Sequence, residues 1–273
     1  MIWLRSVAEE SNVSHSERAH YSRTLDSWIS GCSDVGLRHQ SNQDAFFMAA
    51  RSEPERAAVI AVADGVSSAA GSELASLVAV ETCVESLLQQ FASGVPSSVA
   101  FMRAFVDANR AVLEAKTDGQ PSACTLISAH FEGKQIAIAN VGDSRAYWFG
   151  DDGSAQILTV DDSMAQARIM MGEPREEAER GSHAITKWLG LNAANVAPTV
   201  TGLAPSTPGW LLLCTDGLWN YASAPETLHG VFRRLLESSE SLEQLTESLV
   251  HWANEQGGRD NTTVVLLRVS SAP

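Results

Sequence analysis

Runs of apolar residues that end on a carboxylate constrain this chain more than any other feature. VIAVAD stops at Asp64, IAIANVGD at Asp143 and WLLLCTD at Asp216, and a fourth aspartate, Asp260, opens the run in GGRDNTTVV. Each aspartate has a glycine or an asparagine close by. A buried strand has this look when it ends at a site, with the carboxylate at its tip and a tight turn behind it. Carboxylates that converge from distant strands repel one another unless a cation sits between them. Hard oxygen ligands select Mg²⁺ or Mn²⁺. The first expectation is therefore a polynuclear metal centre built for hydrolysis.

The rest of the chain supplies enough structure to carry such a site. Residues 1–28 are polar and without sustained period, and read as an N-terminal extension or loosely attached arm. From residue 29 to 270 one domain is expected, which 273 residues can supply with a large core. WISGCSDVG, AFFMAA and AAVIAVAD read as strands. GSELASLVAVETCVESLLQQFA and SSVAFMRAFVDANRAVLEAK have helical spacing and are joined by the SGVPSS turn. TLISAHF, GKQIAIANVGD and RAYWFG form an antiparallel meander with EGK and DDG turns. GWLLLCTDG is a further strand, helices follow at about 225–236 and 241–256, and NTTVVLLRV closes the sheet. Residues 161–184 are charged and glycine-punctuated, as a helical flap would be. Two helix pairs and two sheets' worth of strands predict an α+β, four-layer α-β-β-α sandwich.

Charge and cysteine content exclude several classes. A formal net charge of −14 disfavours nucleic acid and anionic membrane surfaces as partners. Cys32, Cys83, Cys124 and Cys214 lie far apart with no CxxC pair, as expected of a reducing, cytoplasmic protein. Met1-Ile2-Trp3-Leu4 is too short for a secretory h-region, and no stretch is long enough to span a bilayer. His15, His20, His130, His183, His229 and His251 show no HxxxH spacing, which argues against zinc. There is no GxSxG elbow and no cysteine in an electropositive glycine-rich loop to serve as a nucleophile.

Taken together, SDVGLRHQSNQDAF, VADGVSSAAGSELAS, ACTL, NVGDSRAYW, LTVDDS, ITKWLG, LLLCTDGLW and GGRDNTTVV occur in the order seen in metal-dependent serine/threonine protein phosphatases of type 2C. The chain resembles the bacterial branch of that family from about residue 29 to 269. The resemblance implies two Mn²⁺ or Mg²⁺ ions and a third, weaker one. Asp64 would bridge two ions, with the Gly65 carbonyl as a further ligand. Asp216 and Asp260 would complete one shell, and Asp143 would help hold the third ion. Asp44 would orient the metal-bridging water, which attacks phosphorus directly. The implied activity removes phosphate from phosphoserine and phosphothreonine of proteins. A monomer opposing a serine/threonine kinase is expected.

Three positions depart from the family pattern. Gln43 stands where a glutamate is usual, and offers a carbonyl oxygen without charge; it either ligates a metal or hydrogen-bonds behind one. His39 stands where an arginine usually clamps the phosphate, and a neutral imidazole lacks the bidentate fork of a guanidinium. It is read as a phosphate contact, with a packed histidine as the other reading. Val66 replaces the histidine that serves eukaryotic relatives as general acid. Turn-forming roles remain open for Asp64, Asp216 and Asp260, and a hydrogen-bonded strand end for Asp143. Asn261 reads as a loop holder, and Asp161 and Asp162 as solvated acids opening the flap. The alternative to an enzyme is a pseudophosphatase, a binding module with weak metal occupancy, favoured only by Gln43 and His39.

Overall fold

In the computed structural model, residues 3–6, 18–117, 119–179 and 184–270 are described. Residues 1–2 and 7–17 of the expected extension, with His15, and residues 180–183 of the expected flap, with His183, lie outside them. The strands up to the meander are β1 (Leu4–Arg5), β2 (His20–Asp26), β3 (Ile29–Asp34), β4 (Ala45–Arg51), β5 (Ala57–Ala63), β6 (Lys116–Thr117), β7 (Gln120–Pro121) and β8 (Ala123–Cys124). They continue with β9 (Leu126–Glu132), β10 (Gln135–Val141), β11 (Arg145–Gly150) and β12 (Ala155–Ile157). The last four are β13 (Leu189–Gly190), β14 (Thr199–Leu203), β15 (Gly209–Cys214) and β16 (Thr262–Val269). The helices are α1 (Ser72–Ala92), α2 (Ser97–Glu114), α3 (Met164–Met170), α4 (Arg175–Glu179), α5 (Asp216–Trp219), α6 (Pro225–Ser238) and α7 (Leu242–Glu255).

Two six-stranded sheets form the centre, in the orders β1-β4-β5-β9-β10-β14 and β12-β11-β15-β16-β3-β2. Alternation along single strands shows how they stack. In β5, Val59, Ala61 and Ala63 face the α1–α2 layer, while Ala58, Ile60 and Val62 face the other sheet. In β16, Val265 and Leu267 join that inter-sheet core, whereas Val264 and Leu266 pack under α5, α6 and α7. A strand covered on both faces needs apolar side chains at every position. That is why AAVIAVA and GWLLLC carry no polar alternation. The four-layer sandwich is the architecture expected.

The N-terminal reading needs correction. Leu4–Arg5 pairs with β4, and His20–Asp26 is the edge strand of the second sheet, in register with β3. Trp28 is buried in the inter-sheet core. Residues 20–26 showed no apolar period because an edge strand over a charged helix face keeps polar side chains, as Ser22 does against Glu243 and Glu247. β14 was also not expected; it has a half-exposed pattern for the same edge reason.

Register brings the strand ends together. Ala45 opposes Ala63, so Asp44 and Asp64 are neighbours at one end of the first sheet. In the second sheet Arg145 opposes Cys214, Cys214 opposes Val264, and Thr262 opposes Asp34. Asp143, Asp216 and Asp260 therefore project from the same end of the sandwich.

Candidate metal centre

Local sequence fixes each carboxylate. Asp44 is 1% exposed, and its Oδ2 accepts from the Thr215 hydroxyl at 2.8 Å. Its backbone N–H donates to Asn42 Oδ1 at 3.1 Å. The Asp64 N–H donates to Thr125 Oγ1 at 3.0 Å, and the Asp64 carbonyl accepts from the Thr125 N–H at 2.8 Å. Asp216 begins α5, and its Oδ2 accepts from Asn220 at 3.0 Å. Asp260 Oδ1 accepts from the Asn261 N–H at 2.9 Å. The Asp143 carbonyl accepts from Trp219 Nε1 at 3.0 Å. Asn261 ties the loops: its Oδ1 accepts from the Gln43 N–H at 2.8 Å and its Nδ2 donates to the Val35 carbonyl at 2.8 Å.

Two glycines let the backbone close on the site. A Cβ on Gly65 would lie 2.7 Å from the Gln43 carbonyl oxygen and 2.8 Å from Ser72. A Cβ on Gly217 would lie 2.0 Å from the Asn261 carbonyl oxygen. No other residue type fits at either position without moving backbone.

The electrostatics are those of an anionic cluster withdrawn from water. Burial raises the pKa of Asp44 to about 8, with Asp260 and Asp216 adding repulsion against the hydrogen bonds from Thr215 and Thr263. Burial, then Asp260, raises Asp216 to about 7. Asp64 is pushed well up by burial and then by Asp44, Asp216, Asp143 and Asp260. Asp143 is pushed well up by burial, Asp216 and Asp161, with Arg145 opposing. Asp64 is thus within electrostatic reach of the other four predicted carboxylates.

Whether these residues suit cations is decided by oxygens with nothing else to do. Asp44 Oδ1, Asp216 Oδ1 and Gln43 Oε1 are all buried without a hydrogen-bond partner. An orphaned carboxylate oxygen costs free energy unless something positive meets it. Among the described residues no three His, Cys, Asp or Glu side chains form a ready-made ion-holding group. Carbonyl oxygens and water would share in coordination. That donor set, hard oxygens of net negative charge, fits Mg²⁺ or Mn²⁺.

The remaining predicted positions are placed as follows. His39 Nε2 lies 3.2 Å from Asp260 Oδ1, and both side chains are half-buried. The Val66 N–H donates to the Ala123 carbonyl at 2.9 Å, as its strand-like loop requires. Asp161 and Asp162 are not solvated acids. Asp161 pairs with the buried Arg145 at 2.7 Å, and Asp162 Oδ2 accepts from the Gly142 N–H at 3.1 Å. Residues 164–170 and 175–179 of the expected flap are helical, and Met170 and Met171 at the end of α3 are each 79% exposed. Sequence reasoning missed Thr215, which braces Asp44 from the position before Asp216, and Arg145, whose place in GDSR beside Asp143 was the available signal.

Comparison with known proteins finds phosphatase relatives. The family profile for protein phosphatase 2C matches residues 37–254. The chain is 28% identical over 216 residues to the serine/threonine phosphatase stp of Listeria innocua, covering 77% of this chain and 83% of that protein. It superposes on the PPM Ser-Thr phosphatase MsPP of Mycobacterium smegmatis, solved with cacodylate, with a TM-score of 0.68 and 31% identity over 89% of this chain and 98% of that one. The catalytic domain of the serine/threonine protein phosphatase PstP, solved with 2 manganese ions, gives a TM-score of 0.67 and 25% identity over 92% of this chain and 99% of that one. The fold and the carboxylate end of the sandwich define a phosphatase-type hydrolase. The chain belongs to the protein phosphatase 2C family.

Proposed function

We propose that this protein is a metal-dependent phosphomonoesterase that releases phosphate from phosphoserine and phosphothreonine of proteins. The observation that carries the reading is the set of buried, unpartnered oxygens on Asp44, Asp216 and Gln43 at convergent strand ends. Asp64, the Gly65 carbonyl, Asp216 and Asp260 would hold two divalent cations, with Gln43 as a neutral oxygen donor and Asp143 on a third, weaker ion. The two manganese ions of PstP support a centre of two cations. Divalent cations at such a centre supply charge neutralisation at phosphorus and water of lowered pKa.

The chain's own side chains do the rest. Thr215 holds one oxygen of Asp44, leaving the other to orient an attacking water. His39, beside Asp260, contacts the phosphate. Val66 has no proton to give, so the leaving alkoxide would take its proton from a water held in the site. The relatives reported above are named as phosphatases, which favours the enzyme over the binding-module alternative.

The net charge of −14 favours basic substrate segments. We place the protein in the cytoplasm as a monomeric signalling phosphatase opposing a serine/threonine kinase. Its four cysteines, free and buried, suit a reducing compartment. No helix among the described residues is long and apolar enough to cross a membrane. The test is phosphate release from phosphoserine and phosphothreonine peptides with Mn²⁺, using a phosphotyrosine peptide as control. Release from the first two is expected; a preference for phosphotyrosine, or no release from any peptide, rejects the reading.

A further inference from the structure

Arg145 is 2% exposed, and each of its five N–H groups has an acceptor. Nε faces Asp161 Oδ1 and Oδ2 at 3.0 and 3.1 Å. Nη2 donates to Asp161 Oδ2 at 2.7 Å and to Glu179 Oε1 at 3.2 Å. Nη1 donates to Ser223 Oγ at 2.8 Å and to the Tyr147 hydroxyl at 3.3 Å. The guanidinium carbon lies 3.6 Å from the centroid of the Trp219 ring.

These partners come from separate parts of the fold. Tyr147 is on β11, beside Arg145 itself. Asp161 enters the flap and Glu179 ends α4. Ser223 follows α5, which begins at Asp216 and ends at Trp219. Glu179 is held again by Ser223, whose hydroxyl lies 3.0 Å from both carboxylate oxygens. Trp219 in turn donates to the Asp143 carbonyl at 3.0 Å. Asp143, Arg145, Asp161, Ser163, Glu179 and Trp219 all line one cavity of ≈ 80 Å³.

Among the described residues the flap has little apolar anchorage of its own. Ala165 is the one buried residue of α3, and Ala178 is buried in α4. An exposed ion pair would hold it weakly. A buried guanidinium is different, because losing one partner leaves an uncompensated charge away from water.

We propose that Arg145 is a positioning residue for substrate selection. Through Asp161 and Glu179 it fastens the flap onto the wall that carries Asp143 and Asp216. It thereby sets the approach of a phosphorylated polypeptide to the carboxylate centre. A small aryl phosphate needs the carboxylate centre and the His39 phosphate contact but not the flap. The proposal rests on the phosphatase reading above.

The test compares wild type, Arg145→Lys and Glu179→Gln. Lysine keeps the charge but can neither fork between two acids nor stack on Trp219 in the same way. Glu179→Gln, on a half-buried surface, is the variant expected to fold in any case. Amide exchange over residues 164–179 is expected to speed by about tenfold in both variants, with β9 and β16 exchanging as in wild type. KM for a phosphothreonine peptide is expected to rise about fivefold or more in both variants, while in Glu179→Gln kcat and KM for an aryl phosphate stay within about twofold. Unchanged flap exchange in Glu179→Gln, or KM values that rise equally for both substrates, would overturn the proposal. A wild type inert on both substrates would sink the phosphatase reading instead, and flap exchange alone would then decide whether Arg145 fastens the flap.

Discussion

His39 Nε2 lies 3.2 Å from Asp260 Oδ1, so the residue in the usual place of a phosphate-clamping arginine touches one of the proposed metal ligands. An imidazole there can contact phosphate, brace Asp260, or do both. His39→Ala separates the two. As a phosphate contact its loss raises KM for an aryl phosphate by about threefold to tenfold with Mn²⁺ affinity unchanged. Weakened Mn²⁺ binding measured by calorimetry, with KM for the aryl phosphate unchanged at saturating metal, would show a brace and contradict the phosphate role.

Gln43 Oε1 is buried and unpartnered, one residue before Asp44. A carboxylate in its place adds a charge to a site proposed to hold cations. Gln43→Glu is expected to tighten Mn²⁺ binding about tenfold, or ~1.4 kcal/mol. Calorimetric titration checks this, and an unchanged affinity would place Gln43 outside the coordination shell.

The raised carboxylate pKa values give stability a pH dependence when divalent cations are withheld. Asp44 at about 8 and Asp216 at about 7 bind protons in the folded state at pH values where the unfolded chain has released them. Unfolded protein then carries fewer bound protons than folded, so stability falls as pH rises. The stabilising contribution is complete at acidic pH, below the ordinary carboxylate range, and is lost as pH climbs through about 7 to about 8. Thermal melts in EDTA should show Tm dropping across this window, with Mn²⁺ restoring it at the alkaline end. A Tm in EDTA that rises from pH 6 to pH 8 would contradict the buried-cluster picture.

Gly217 sits between Asp216 and the start of β16, where a Cβ would meet the Asn261 carbonyl oxygen at 2.0 Å. Gly217→Ala is expected to cost about 1–3 kcal/mol through forced backbone movement. Mn²⁺ affinity should fall with it, because the same movement displaces the Asp260 loop. Denaturant unfolding reads the first effect and calorimetry the second.

Much of the fold was legible because four layers leave central strands no solvent face. AAVIAVA and GWLLLC could be nothing but doubly buried strands, and the aspartates after them marked the common end. Edge strands were harder. HYSRTLD of β2 packs one face against the acidic side of α7 and so shows no apolar alternation. The site was legible as a set of residue types but not as a set of contacts. Asp161 read as a solvated acid because its partner, Arg145, is charged and lies in a strand; nothing local says that both are buried together. The short contact of His39 with Asp260 joins residues more than two hundred positions apart and depends on β3–β16 register.

The most direct test compares aryl phosphate hydrolysis against Mn²⁺ concentration for wild type and Asp216→Asn, with calorimetric Mn²⁺ binding alongside. Asparagine keeps the shape of Asp216 and removes the charge, so the fold should persist. Turnover by the wild type should be absent in EDTA and saturate with Mn²⁺. In Asp216→Asn it should fall at least about a hundredfold, ~2.7 kcal/mol, with weaker metal binding. Wild-type turnover that survives EDTA, or an Asp216→Asn enzyme with the same Mn²⁺ curve as wild type, would contradict a metal centre built on these carboxylates.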